Sequence, residues 1–396
     1  MRDWIKSCKN LVCIGLCAAG LSVAGRATAA GGIDQAADAA AAQALELLNA
    51  GKLPDAEAAY TNLIRTYPNS EMVPEATYRL GYVQYMEGNY DQAVATLNGV
   101  NSLPAAPEVK AAAVVLIPQV LEAKAGKLGA DDPNRKSTFE DASRQFGEFI
   151  REYPQSAMVE TANYGRAMAA YQIQKYSDAE SSLRDNLNRF PLSESLLDSE
   201  ALLAVVLTAE GTEILKDHGD EDEAGRKFGE ALGYLADIIE KHTDVALAND
   251  AQFQIGEVLF NRGSAEEGAK REKDLTNAMA AYRAVLPKET MVQAQEERLA
   301  ELMDRRRQAT IIRDQPELQN IQRLQDRENA KLEALKDGPD ETMSAQLRIA
   351  TCYFVLQKYD EARVMLKFLD GFAQDEQEKK QIASYLTLTY AMQGNT

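Results

Sequence analysis

Residues 81–93 read Gly81-Tyr82-Val83-Gln84-Tyr85-Met86-Glu87-Gly88-Asn89-Tyr90-Asp91-Gln92-Ala93. A small residue opens the stretch, a tyrosine stands four later, a polar turn follows, and a second tyrosine precedes an alanine twelve after the start. The stretch from Ala167 repeats these offsets with Tyr171, Tyr176 and Ala179, and the stretch from Ala350 repeats them with Phe354, Tyr359 and Ala362. A fourth copy runs from Ala44 through Gly51 and Leu53 to Ala56. Self-similarity of this kind marks a repeat architecture, in which each unit leans on its neighbour to bury its apolar face.

The downstream half of the unit is as regular. A large residue stands four after each late alanine and a proline twelve after it: Ala56 leads to Tyr60 and Pro68, Ala142 to Phe146 and Pro154, Ala179 to Leu183 and Pro191. Proline cannot continue a helical hydrogen-bond ladder, so it closes the second helix of each pair. Small residues let two helix backbones approach closely, and large residues at three- and four-residue spacing form the stripe that the next pair covers. The small residue, the glycine-type turn, the late alanine and the closing proline are similar to the tetratricopeptide repeat. Within that family, Pro74-Glu75-Ala76-Thr77-Tyr78-Arg79-Leu80-Gly81 resembles the subtype common in bacterial envelope proteins. Members of that subtype assist outer-membrane assembly or coordinate envelope machinery. The resemblance covers most of residues 38–396. It implies an all-α solenoid, a right-handed stack of antiparallel helix pairs whose first helices line a concave groove, with proteins or peptides as partners.

The late alanines are Ala56, Ala93, Ala142, Ala179, Ala231, Ala278 and Ala362, spaced by 37, 49, 37, 52, 47 and 84 residues. A unit of 37 slightly exceeds the usual ~34, and the wider gaps call for insertions. These are expected as a loop at 126–137, an acidic turn at 217–223 and a lengthened turn at 262–274. The widest gap holds 291–313 and 316–336, which read as two long helices with only a partial apolar stripe. The expected organisation is a secretory signal at 1–29, a solenoid with insertions at 30–290, a long degenerate helical pair at 291–338, and further units at 339–396. The last helix, with Tyr385 and Leu388, has no following partner. That points to a longer protein or to a covering chain, the former being favoured.

The leader has its own logic. Arg2, Lys6 and Lys9 precede an apolar run from residue 11 to 24, and Ala27-Thr28-Ala29 supplies a small-x-small cleavage triplet. This is the order of a secretory signal, and the run is shorter than the ~20 residues that span a bilayer. Cys13 follows Val12 and Cys17 follows Leu16, which does not suit lipidation. A periplasmic or secreted destination follows. A cut after Ala29 removes four basic residues and one acidic residue from a formal charge of -18, leaving -21. It also leaves Cys352 as the only cysteine, so no internal disulfide forms. Such an acidic chain is repelled by nucleic-acid backbones, and the same charge disfavours anionic membrane surfaces.

Chemistry is scarce. His218, His242 and Cys352 show no zinc-ligand spacing, and no phosphate-binding glycine loop occurs. The run Asp220-Glu221-Asp222-Glu223-Ala224-Gly225 begins like a calcium loop, but Ala224 and Ala231 stand where ligands are needed. Arg305, Arg306 and Arg307 spread around a helix axis rather than forming a stripe. No catalytic residue, metal or cofactor is therefore assigned, and the chain reads as a binding scaffold rather than an enzyme. The alternative is the helical arm of a longer envelope enzyme or assembly.

The site assigned from sequence is aromatic. Three before the small residue stand Tyr78, Tyr164 and Phe253; four after it stand Tyr85, Tyr171, Phe260 and Phe354. These offsets are seven apart, on one face of the first helix. They are expected to line a groove that grips a peptide, with Tyr82 and Met86 adding area, since aromatics give large contact for little lost entropy. The competing reading makes them core residues against the neighbouring pair. A Lys/Asn clamp for a terminal carboxylate is not suggested, because Tyr78 and Tyr82 hold the matching positions.

Overall fold

The computed structural model describes residues 32–394 except 194, 218, 242, 243, 374 and 375, with side chains from residue 35. The leader and both histidines lie outside the described residues. The remainder contains seventeen helices and, among the described residues, no strand.

Two compact units divide at 199/200. The first holds four antiparallel pairs: α1 (Gly32–Asn49) with α2 (Leu53–Thr66), α3 (Val73–Met86) with α4 (Tyr90–Val100), α5 (Pro107–Lys127) with α6 (Pro133–Glu152), and α7 (Val159–Gln172) with α8 (Tyr176–Arg189). The second holds α9 (Leu196–Lys216) with α10 (Glu221–Lys241), α11 (Val245–Ala265) with α12 (Gly268–Arg283), α13 (Lys288–Ile312) with α14 (Gln315–Asp337), α15 (Thr342–Val355) with α16 (Tyr359–Asp370), and α17 (Glu376–Met392).

Equivalent sequence positions adopt equivalent geometry. The turn residue seven after the small one is left-handed in all four copies: Gly51 at φ 70°, Gly88 at 83°, Gln174 at 64° and Gln357 at 59°. Its N–H donates three residues back, to the carbonyls of Leu48, Tyr85, Tyr171 and Phe354. The next N–H, from Lys52, Asn89, Lys175 or Lys358, donates to the carbonyl five residues back at 2.8–3.0 Å. This double closure satisfies helix-end carbonyls. The closing turn repeats as well. Tyr67, Tyr153 and Phe190 end their helices at φ near -124°, and Ser70 and Ser156 each accept the backbone N–H two residues on at 3.2 Å.

All seven late alanines are fully buried. Where a glycine faces it, the residue four beyond such an alanine packs onto that glycine: Leu97 onto Gly81, Phe146 onto Gly165 and Tyr282 onto Gly256. A Cβ built on Gly81 would meet Leu97 at 2.7 and 2.8 Å, and one built on Gly256 would lie under 3.0 Å from the Tyr282 ring. In the α9–α10 pair this contact is made by Phe228, four beyond Ala224, against Gly211. Ala224, not Ala231, is therefore the structural counterpart; Ala231 sits seven residues further along the same buried face.

Two of the three insertions take a form that the sequence reading did not expect. Segments 126–137 and 262–274 are mostly helix with short connecting turns, whereas the acidic segment 217–223 is helix only from Glu221. Helices α9, α10 and α11 have 21 residues where α3 and α7 have 14. Seven extra residues are about two turns, which return to the same face. The stripe is thus extended without being rotated. The would-be calcium loop becomes the first turn of α10, where the Asp220 carboxylate accepts the N–H groups of Asp222 and Glu223, an N-cap.

The α13–α14 pair stands aside from the stack. Core packing runs directly from α11 and α12 to α15, with Leu275, Ala278, Tyr282, Ala345, Ile349 and Cys352 in one cluster. The pair is tied down at its base. Lys288 Nζ meets the carbonyls of Lys336 and, at 2.6 Å, Gly338, and Lys331 meets Asp244 at 2.6 Å. Burial pushes the Asp244 carboxyl up, but Lys331 and the N–H groups of Ala246 and Leu247 outweigh it and leave it below its ordinary value.

Nearby, Asp250 of α11 faces Glu341 at the start of α15. Burial, then Glu341 and Asp244, raise the Asp250 carboxyl well above the usual carboxylate range. From about pH 4, where an unfolded Asp loses its proton, up to that raised value, the folded chain keeps a proton that the unfolded chain has released. Stability therefore falls as pH rises through this window. Asp250→Asn retains a hydrogen-bonding amide without the charge. It is expected to raise the unfolding midpoint at pH 7 and leave it unchanged near pH 3.5; thermal melts across pH check this, and a gain of equal size at both pH values would contradict it.

Candidate protein-binding site

The first helices of successive pairs also touch one another, α3 with α5 and α5 with α7 in the first unit, α11 with α15 and α15 with α17 in the second. Second helices make no comparable contact among the described residues. First helices therefore lie against one another along one side of each stack.

Within the first unit, Tyr78 and Tyr164 are buried. Tyr78 belongs to the cluster of Leu97, Leu116 and Val120, whose partly buried neighbours include Tyr82 and Tyr85. Tyr85 and Tyr171 are half-buried and pair with the tyrosine that opens the following helix: Tyr85 with Tyr90 at 6.3 Å and Tyr171 with Tyr176 at 5.8 Å between ring centroids. Tyr82 is half-buried, 6.3 Å from Tyr85, and Met86 is 48% exposed. In the second unit, Phe253 is buried edge-on to Tyr282 at 5.5 Å. Phe354 pairs with Tyr359 at 5.6 Å, and Phe260 lies under the Arg348 guanidinium at 5.4 Å.

The two offsets thus do different work. Rings three before the small residue belong to the hydrophobic interior. Of the rings four after it, Tyr85, Tyr171 and Phe354 clasp the turn, since they also accept the turn's N–H through their carbonyls, while Phe260 lies inside α11 beneath Arg348. Open aromatic surface on α3 comes from Tyr82 and Tyr85, beside Met86.

Sequence reading missed the polar node of the second unit. Glu257, 4% exposed, accepts the Tyr282 hydroxyl at 2.7 Å and Arg348 Nη2 at 2.6 Å. It joins α11, α12 and α15 where the stack passes the α13–α14 pair. The one sequence sign was a glutamate inside the apolar run 253–260. Burial pushes the adjacent Cys352 thiol up to about 12 against the pull of Arg348, so it stays protonated and a poor nucleophile. Among the described residues no cluster of His, Cys, Asp and Glu could hold a metal ion, and no helix is long and apolar enough to cross a membrane. A cleft of about 340 Å³ opens over α5, floored by Val94, Ile117 and Leu121 and walled by Asp141, Arg144 and Glu148; Arg144 pairs with both of those carboxylates.

Residues 41–107 match the tetratricopeptide-repeat family model. Together with the repeated helix pairs and turns, this match gives the chain an α-solenoid fold of the tetratricopeptide-repeat kind. Residues 129–311 match a second family model, described as outer membrane lipoprotein. No curated protein matches. Among solved structures, a tetratricopeptide repeat protein from Parabacteroides merdae is 14% identical, with 90% of this chain and 99% of that one covered and a TM-score of 0.48. BtubC from P. vanneervenii is 18% identical, covering 64% and 92%, with a TM-score of 0.36. The tetratricopeptide domain of P58(IPK) is 12% identical, covering 90% and 98%, with a TM-score of 0.22. At such scores these likenesses do not extend to function.

Proposed function

We propose that this chain is an exported scaffold that holds protein partners in the bacterial envelope, gripping an extended or helical peptide on the inner faces of its first helices. The observation that carries the reading is on α3, where Tyr82, Tyr85 and Met86 leave apolar area partly open on a helix whose other faces are packed. Tyr171 on α7, and Phe260 and Phe354 in the second unit, extend the series, while Tyr78, Tyr164 and Phe253 support it from beneath. The family match over residues 129–311 favours an envelope setting, and the leader at 1–29 favours a periplasmic or secreted one. Lipid attachment at Cys13 or Cys17 finds no support in the residues that precede them.

Tyr82→Ala with Met86→Ala tests the reading at the rim of the Tyr78 cluster, where Tyr82 is half-buried and Met86 open. Partner recovery from envelope extract by the double variant is expected to fall at least about tenfold, as loss of central aromatic contacts does, with the far-UV circular dichroism at the assay temperature unchanged. Recovery equal to wild type would remove the α3 face from the site.

A further inference from the structure

The α13–α14 pair carries an apolar tip that the rest of the protein leaves uncovered. Ile311 and Ile312, at the end of α13, are 80% and 72% exposed. They adjoin Arg313, which holds the left-handed corner at φ 58°. Around them, residues 303–323 hold five arginines against three carboxylates, in a chain whose formal charge is -18. Two of these arginines are matched by carboxylates, Arg305 by Glu317 at 2.7 Å and Arg307 by Asp304 at 3.0 Å. Arg306 meets only the neutral Gln325, at 3.0 Å, and Arg313 is exposed.

We propose that this tip docks on an anionic phospholipid surface. Ile311 and Ile312 enter the boundary between headgroups and acyl chains, and Arg306 and Arg313 meet the phosphates. The dimensions agree. Arg306 lies about 9 Å behind the end of α13 at 1.5 Å per residue, and amphipathic elements sink about 5–10 Å into that boundary. The acidity of the whole chain does not oppose this. The base contacts occupy the first turn of α13 and the last turns of α14, so the tip stands roughly 25 Å beyond them, while charge is screened within about 8 Å at physiological salt. A protein occupant fits less well. The end of a two-helix pair offers roughly 200 Å² from helices about 10 Å wide, far below the ~800 Å² per partner of a stable protein interface. Insertion of two isoleucines needs no shaped counterpart.

Co-sedimentation of the full chain with phosphatidylglycerol/phosphatidylethanolamine vesicles and with phosphatidylcholine vesicles tests the proposal. Leader contributions are common to all variants. Wild type is expected to prefer the anionic vesicles and to lose that preference at high salt. Ile311→Ser with Ile312→Ser should weaken binding at least about tenfold, and Arg306→Gln with Arg313→Gln should abolish the preference for anionic lipid, all with unchanged circular dichroism. No binding by wild type, or binding indifferent to both double variants, overturns the proposal. Capture of an acidic protein through an intact tip, without vesicle binding, overturns it in favour of a protein occupant. The α3 variants described above leave vesicle binding unchanged, so the two sites fail or succeed separately.

Discussion

Gly165→Ala and Gly256→Ala each destabilise this protein by about 1–3 kcal/mol, the expected range for overpacking a tight interior. Helix propensity alone gives the opposite sign, because alanine in mid-helix is favoured over glycine by about 1 kcal/mol. Contact decides the outcome. A Cβ on Gly165 would lie under 3.0 Å from three atoms of the Phe146 ring, and one on Gly256 would meet Tyr282 in the same way. Neither ring can step aside. Phe146 is fully buried, and Tyr282 is pinned through its hydroxyl to Glu257 at 2.7 Å. The control lies on α10, where Gly229 and Gly233 are helical and exposed with nothing within 4 Å of an added Cβ. Alanine there is expected to stabilise by up to about 1 kcal/mol. Urea unfolding of the four variants gives the signs directly. If all four shift the same way, helix crossing at the small residue is not what holds the stack together.

Arg348→Met is expected to remove about 2–3 kcal/mol. Breaking one side of a buried pair leaves the other charge uncompensated, an effect of roughly 3–5 kcal/mol when both are deeply buried. Arg348 keeps a third of its side chain exposed while Glu257 keeps 5%, so solvent screening trims the figure. Restoring neutrality with Glu257→Leu in the same chain should recover most of the loss, since a well-packed apolar replacement of an ion pair is often neutral. The cycle also needs Glu257→Leu alone, because that variant frees the Tyr282 hydroxyl inside the core. Additive losses in the double variant would show that Arg348 acts through its packing on Phe260, at 5.4 Å, and not through the charge. The effect should fall on the seam between α11 and α15, which continues the stack past the α13–α14 pair, so a second, earlier unfolding step in the Arg348 variant is the accompanying sign.

Much of this molecule is written locally. Offsets of four, seven, nine and twelve residues determined where each helix pair turns, which alanines are buried and where proline closes the unit, because a short turn and a helix face depend only on near neighbours in the chain. The leader and the lack of assignable catalytic motifs were read from composition and order. Tertiary structure decided the rest. It turned the expected insertion loops into extra helical turns, since two added turns preserve the buried face. It chose Ala224 over Ala231, two residues on one face that no local pattern separates. It also sorted the aromatic series into interior rings and turn clasps, set Glu257 between Tyr282 and Arg348 from 25 and 91 residues away, and carried α12 past 48 or more residues of inserted pair to meet α15. Partners so distant in sequence are joined only by packing, and packing energy belongs to the assembled stack rather than to any stretch of it.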